Sequence, residues 1–166
     1  LVDVWGSSAT DVWAVADYPP VLHWDGSAWT PAMGSEPTGI GACGGASGRG
    51  PGDVWSVSPN RGLQHWDGAE WTLFATTGPS PRSASAMAYD AARGEVVLFG
   101  GTDGSRLGDT WAWDGAAWTL LATTGPSLRH SHKMAYDAAR GKVVLFGGSE
   151  TDGSVDGETW VWAEPC

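Results

Sequence analysis

Three groups of side chains in this chain of 166 residues could do chemistry, and each has a spacing that can be weighed. His130 and His132 flank Ser131. In a strand, where side chains alternate between faces, they would share one face and could offer two imidazoles to a metal ion. Two ligands make a weak site, since open metal sites use three or more protein ligands. No metal site is therefore expected there. Asp103, Asp109, Asp152, Asp156 and Glu158 form a second group, dense in carboxylate oxygen around Asp103-Gly104-Ser105 and Asp152-Gly153-Ser154. Oxygen ligands of this kind suit calcium, but the spacing is not that of an EF-hand loop, and Asp-Gly is first of all a turn former. No cofactor is expected, and calcium is the alternative that these loops suggest. The third group is arginine. Arg82, Arg106 and Arg129 each carry a planar fork that matches a carboxylate. Motifs for a serine nucleophile, a phosphate loop or a dinucleotide site are missing, and no catalytic residue is singled out.

Positioning these groups falls to a repeat. Trp113-Asp114-Gly115-Ala116-Ala117-Trp118-Thr119 has the form W-D-G-x-x-W-T, which also stands at Trp24 to Thr30 (second tryptophan Trp29) and at Trp66 to Thr72 (second tryptophan Trp71). Asp-Gly between two apolar runs is a hairpin signal, because Gly supplies positive φ without steric cost. The step is 42 residues from Trp24 to Trp66 and 47 from Trp66 to Trp113. Several short strands at such a period predict a propeller or a solenoid. Unit one offers four strands, Val2–Gly6, Asp11–Val15, Val21–Trp24 and Ala28–Ala32. Unit two repeats the plan, with Ile40 to Ala46 expected as a glycine-rich first strand and Ser47 to Gly52 as a long turn. Met87 to Gly94 returns as Met134 to Gly141, and Val96 to Gly101 as Val143 to Gly148. A fourth unit stops at Thr159-Trp160-Val161-Trp162, short of a fourth strand.

Composition narrows the partners. The formal net charge of −10 argues against nucleic acid, since phosphate binding needs clustered Lys and Arg. No apolar run is long enough for a membrane-spanning helix, and membrane insertion is not expected. Cys43 and Cys166 stand too far apart for a zinc or redox motif, and whether they pair is open. The chain starting at Leu1, within a strand pattern, suggests a processed or excised piece of a longer protein.

Units three and four resemble kelch repeats. The matching positions are Arg82, Gly100, Gly101, Trp111, Trp113 and Trp118, then Arg129, Gly147, Gly148, Trp160 and Trp162. Units one and two are similar to the Trp-rich propeller repeats of large secreted or surface proteins of myxobacteria-like bacteria. The resemblance implies an all-β fold: a β-propeller of four kelch-like, four-stranded blades, over about 1–33, 38–75, 77–122 and 124–166. The propeller would be closed with four blades or part of a larger one. In this family first strands line a channel, and loops entering the first strands or leaving the second carry ligand contacts. Those loops map here to Arg82, Arg106, Arg129, Asp103 and Asp152. The expected function is a non-catalytic binding module of a secreted or surface bacterial protein, with carbohydrate or protein as ligand. Self-association, or further blades from a longer chain, is a further expectation. The alternatives are spacer blades of an adhesion protein and a glycan-active hydrolase or lyase.

Overall fold

The computed structural model describes residues 3–15, 21–32, 45–58, 62–74 and 77–162. Cys43 and Cys166 lie outside the described residues, as does most of the first strand expected over Ile40 to Ala46. The described residues are all strand, turn and loop, with no helix among them.

Blade 1 comprises β1 (Asp3–Ser8), β2 (Asp11–Val15), β3 (Val21–Trp24) and β4 (Trp29–Pro31). Blade 2 comprises β5 (Ala46–Gly50), β6 (Asp53–Ser58), β7 (Gly62–Trp66) and β8 (Trp71–Leu73). Blade 3 comprises β9 (Ala86–Asp90), β10 (Glu95–Thr102), β11 (Arg106–Trp113) and β12 (Trp118–Ala122). Each is an antiparallel meander in chain order. Blade 4 is built on β14 (Lys133–Asp137), β15 (Lys142–Phe146) and β17 (Thr159–Trp162). Beside it, β13 (Arg129–His130) pairs with β16 (Ser149–Glu150). The four blades are arranged as a β-propeller, with β1, β5, β9 and β14 adjacent in turn as the first strands.

The W-D-G-x-x-W turns form as expected. Asp25 Oδ1 accepts from the Ser27 amide at 2.8 Å and the Ala28 amide at 2.9 Å, and Asp67 and Asp114 repeat the arrangement. The following glycines take φ of 96°, 99° and 101°, the left-handed region where a side chain is strained. The Ser27 hydroxyl, with these amides, holds the Asp25 carboxyl down at about 2.

One pair recurs in every blade. Val12 faces Trp24, Val54 faces Trp66, Val96 faces Trp113 and Val143 faces Trp162 across neighbouring strands. In blades 2 and 3 this pair is buried against the preceding blade, and Val143 is buried likewise in blade 4. The ridge that meets it comes from Trp13 or Trp55. The Trp13 ring lies 5.4 Å from Trp66 and 6.3 Å from Trp71; the Trp55 ring lies 4.6 Å from Trp113. Trp13 stacks on His23 at 4.3 Å and Trp55 on His65 at 4.1 Å. An aspartate two residues earlier fixes each ridge, because alternation puts it on the same face. Asp11 accepts from Trp13 Nε1 and bonds His23; Asp53 accepts from Trp55 Nε1 and bonds His65. Burial works to raise the Asp53 carboxyl, but bonds from Arg49, His65 and Trp55 outweigh it and hold it below its ordinary value.

Two expectations are corrected. The first strand of blade 2 is Ala46–Gly50, in the segment expected to be a turn. Its Ser and Gly content carries little β preference, so the strand comes from its place in the fold. It runs so close to β6 that a Cβ on Gly48 would stand 2.0 Å from the Asp53 carbonyl oxygen. The second correction concerns Arg82 and Arg129, which precede the first strands β9 and β14 instead of leading them. Val4, Phe146 and Val161 are more than half exposed, so blades 4 and 1 are not packed face to face.

Candidate functional site

Arg82 and Arg129 do not reach a ligand-facing surface; they are 1 % and 0 % exposed. Arg82 donates from Nε to the Ser80 carbonyl, from Nη1 to the Gly100 carbonyl and Asp109, and from Nη2 to Ser80 Oγ and Asp109. The two Asp109 contacts, at 2.6 and 2.9 Å, are a bidentate fork of the strongest kind. Asp109 also accepts from Trp111 Nε1 at 2.6 Å. Burial alone would raise the Asp109 carboxyl, yet the bonds from Arg82 and Trp111 hold it below its ordinary value. Arg129 makes the matching bonds to Ser127, the Gly147 carbonyl and Glu150, with Asp156 at 3.0 Å and Glu158 at 3.6 Å. The expected ligand role of these two arginines is therefore corrected. They clamp the approach to a first strand onto the end of the second.

The glycine pairs belong to the same clamp. Gly100 and Gly101 take φ of 59° and 97°, and a Cβ on either would stand 2.7 Å from a backbone oxygen, of Arg129 and of Ser83 respectively. Gly147 and Gly148 repeat the conformation in blade 4.

Of the remaining expected residues, two are exposed and Arg106 is half-buried. Asp103 and Asp152 are exposed in the turns after the second strands. Arg106 reaches from blade 3 to blade 4, 3.4 Å from the Thr151 carbonyl and 3.5 Å from Ser149 Oγ. Of the expected acidic group only Asp156 and Glu158 come together, and Glu150, which the sequence did not single out, joins them. Glu150, Asp156 and Glu158 lie within 4.8 Å of one another, but the Arg129 guanidinium sits among them and takes the place a cation would need.

His130 and His132 do not share a strand face. Ser131 has φ of 61°, which breaks the alternation. His132 is buried, with Nε2 donating to the Phe99 carbonyl at 3.1 Å. Desolvation pushes its imidazole down to about 4, so it is neutral at pH 7.

What the fold does assemble is a channel. A cavity of about 440 Å³ is lined by the first strands of all four blades, among them Trp5, Arg49, Tyr89 and Tyr136. A second cavity, about 240 Å³, lies where the chain enters those strands, between Gly45, Ala84, Ser131, His132 and Lys133. Asp3 lines both, and it is the one carboxylate among the described residues that line them. Asp3 accepts from the Ala46 amide and pairs with Lys133 at 3.6 Å. Ala84 and Ser131, the two non-glycine residues of positive φ among those described, sit side by side here, the Ser131 amide donating to the Ala84 carbonyl. None of the five expected ligand residues lines either cavity. The signal that could have found the channel was the repeat alignment of Tyr89 with Tyr136, one step after Ala88 and Ala135 on adjacent first strands.

No family model matches the sequence, and no curated protein matches it. Among solved structures, the fold is similar to one described as the structure of YjhT, with a TM-score of 0.64 at 14 % identity over 85 % of this chain. The match covers 47 % of that chain, so the present chain spans about half its length. At this identity the likeness concerns the propeller fold alone.

Proposed function

We propose that this chain is a non-catalytic binding module and that its ligand enters the axial channel. The observation that supports this is the 440 Å³ cavity, where one aromatic from β1 and two tyrosines from β9 and β14 stand with Arg49 and Asp3. Ring faces that stack on sugar planes, beside a guanidinium and a carboxylate that bond hydroxyls, suit a carbohydrate of one or two rings. Glycan hydrolysis in most families uses two carboxylates about 5 to 10 Å apart, and the described channel lining offers only Asp3. We read the blades of units three and four as kelch-type. The clamp of Arg82 on the Gly100 carbonyl and Asp109, repeated by Arg129, supports that reading. We place the module outside the cell or on its surface, on the resemblance of units one and two to repeats of secreted proteins.

The test is a panel of mono- and disaccharides titrated into the folded protein and read by tryptophan fluorescence. Saturable binding that weakens about tenfold or more in Arg49→Ala, and again in Tyr136→Ala, is the expected result. A cooperatively melting protein that binds no sugar refutes the carbohydrate reading. It would favour the spacer role, for which one observation speaks: Trp13, Trp55, Trp66 and Trp113 are committed to the joints between blades.

A further inference from the structure

Every other arginine among the described residues holds a carboxylate. Arg49 holds Asp53, Arg82 holds Asp109, Arg93 holds Asp90, Arg140 holds Asp137, and Arg129 holds Glu150 and Asp156. Arg106 is the exception. Its two bonds go to neutral groups, Nη1 to the Thr151 carbonyl at 3.4 Å and Nη2 to Ser149 Oγ at 3.5 Å. An ordinary N–H···O bond is about 2.7–3.2 Å long, so both are weak. Its Nε is buried and bonds nothing among the described residues. A buried donor left unpaired in a native fold calls for an explanation.

The carboxylates nearby do not supply the missing partner. Asp103 accepts from the Ser105 amide at 3.2 Å and Asp152 from the Ser154 amide at 2.8 Å, so each caps its own turn. The Ser154 bonds hold the Asp152 carboxyl below its ordinary value, and the Arg106 charge adds to them through space. Glu150 is bonded to Ser127 and Arg129.

His130 brings a second donor to the same place. It lies opposite Ser149 in the β13–β16 pair, so the two side chains leave the sheet on one side, with Cβ atoms about 4.5–5.5 Å apart. His130 Nδ1 is 3.0 Å from Ser131 Oγ, and Nε2 bonds nothing among the described residues. Arg106 from blade 3 and His130 from blade 4 therefore both adjoin Ser149, at a joint internal to the array.

Charge selects the ligand. With Asp103, Asp152 and Glu150 around the one guanidinium, and a net charge of −10, a dianion such as phosphate meets more repulsion than a single carboxylate. A carboxylate also matches the planar fork with two parallel bonds. We propose that Arg106, Ser149 and His130 bind a monoanionic carboxylate group at the joint of blades 3 and 4. Arg106 exchanges its two weak contacts for charge-assisted ones, and Ser149 Oγ and His130 Nε2 donate to the same oxygens. The site does not depend on the channel reading, since none of the three residues lines the channel. Ser131, which bonds His130, lines the 240 Å³ entry cavity, so a sugar acid has room beside the site for its ring.

The experiment is an NMR titration of the whole folded chain with acetate and with glucuronate, against acetamide and glucose as neutral twins and inorganic phosphate as the dianion. The His130 ring and Arg106 Nε–H signals report the site. Saturable movement with acetate and none with acetamide is expected. Binding should weaken about tenfold or more in Arg106→Gln, the loss of a charge-assisted bond, and less in His130→Gln. Arg106→Lys, which keeps the charge without the fork, should bind more weakly than wild type. Arg140→Ala, which removes an exposed arginine elsewhere, should bind acetate as wild type does. Thermal melts establish that each variant is folded. Glucuronate binding tighter than acetate supports a carboxylate carried on a sugar, and equal binding supports a free one. Acetate binding by a protein that takes no neutral sugar upholds this site while refuting the channel reading. The proposal is overturned by the absence of saturable shifts with either carboxylate, by an equal response to acetamide, by tighter binding of phosphate, or by binding that survives Arg106→Gln.

Discussion

Replacing Arg82 tests whether the repeat arginines are clamps. In Arg82→Ala, Asp109 loses two charge-assisted bonds and keeps the one from Trp111, while the Gly100 carbonyl loses its Arg82 bond. Removing one partner of a buried pair costs about 3–5 kcal/mol, because the other charge is left behind. The Asp109 side chain is 22 % exposed, so water recovers part of this, and the low end, about 3 kcal/mol, is expected. Urea unfolding followed by tryptophan fluorescence reads the change, and a domain of ordinary stability, about 5–15 kcal/mol, tolerates it. Arg49→Ala is the control. Arg49 is about half exposed and bonded to Asp53 at the surface, where an ion pair contributes about 0–1 kcal/mol. The double variant with Asp109→Ala should cost less than the sum of the singles, with a coupling of at least about 1 kcal/mol. Arg82→Lys should not rescue, since one ammonium cannot replace a fork that bonds three groups. A loss below about 1 kcal/mol, or one no larger than that of Arg49→Ala, refutes the clamp.

Two further outcomes follow from the joints and from burial. Trp55→Ala removes the ridge between blades 2 and 3 and should cost about 3–5 kcal/mol, whereas Trp29→Ala, on the exposed face of blade 1, should cost under about 1 kcal/mol in the monomer; equal losses in urea would refute the assignment of joints. His132 is held neutral by burial, with its folded value lowered from 6.5 to about 4. Below pH 6.5 the unfolded chain binds the extra proton first, so this contribution is full above 6.5 and fades as pH falls toward 4, by about 3 kcal/mol in all. Stability measured across that window should fall in the wild type and fall less in His132→Gln; identical slopes would refute the buried assignment.

Much of the architecture was legible in the sequence, for a local reason. W-D-G-x-x-W-T specifies its own turn, with Asp25, Asp67 and Asp114 each capping amides two and three residues on. The 47-residue repeat of Val96 to Gly101 marks a strand and its glycine end whatever surrounds it. Strands 11–15, 21–24 and 53–58 were readable from alternation and from β-branched or aromatic content. Where the local signal is weak, the reading failed. Ala46–Gly50 lacks β-forming residues and becomes a strand only because β6 and the neighbouring first strands offer it partners.

The site divides along the same line. Sequence identifies Arg82, Arg129 and the glycine pairs as special, because they recur. It does not say whether a recurring arginine faces a ligand or the interior, since both need a fork with a carboxylate to match. Burial decided it: with Asp109 placed 27 positions away on β11, the guanidinium of Arg82 closes on protein. His130 and His132 looked like a pair until one left-handed residue, Ser131, turned them apart. The channel residues Asp3, Trp5, Arg49, Tyr89 and Tyr136 come from four strands far apart in the chain, and only the arrangement of blades around one axis brings them together. Repeat spacing and turn chemistry are local and survive in the sequence; which face of a repeat meets its neighbour, the axis or the solvent is a property of the assembled blades.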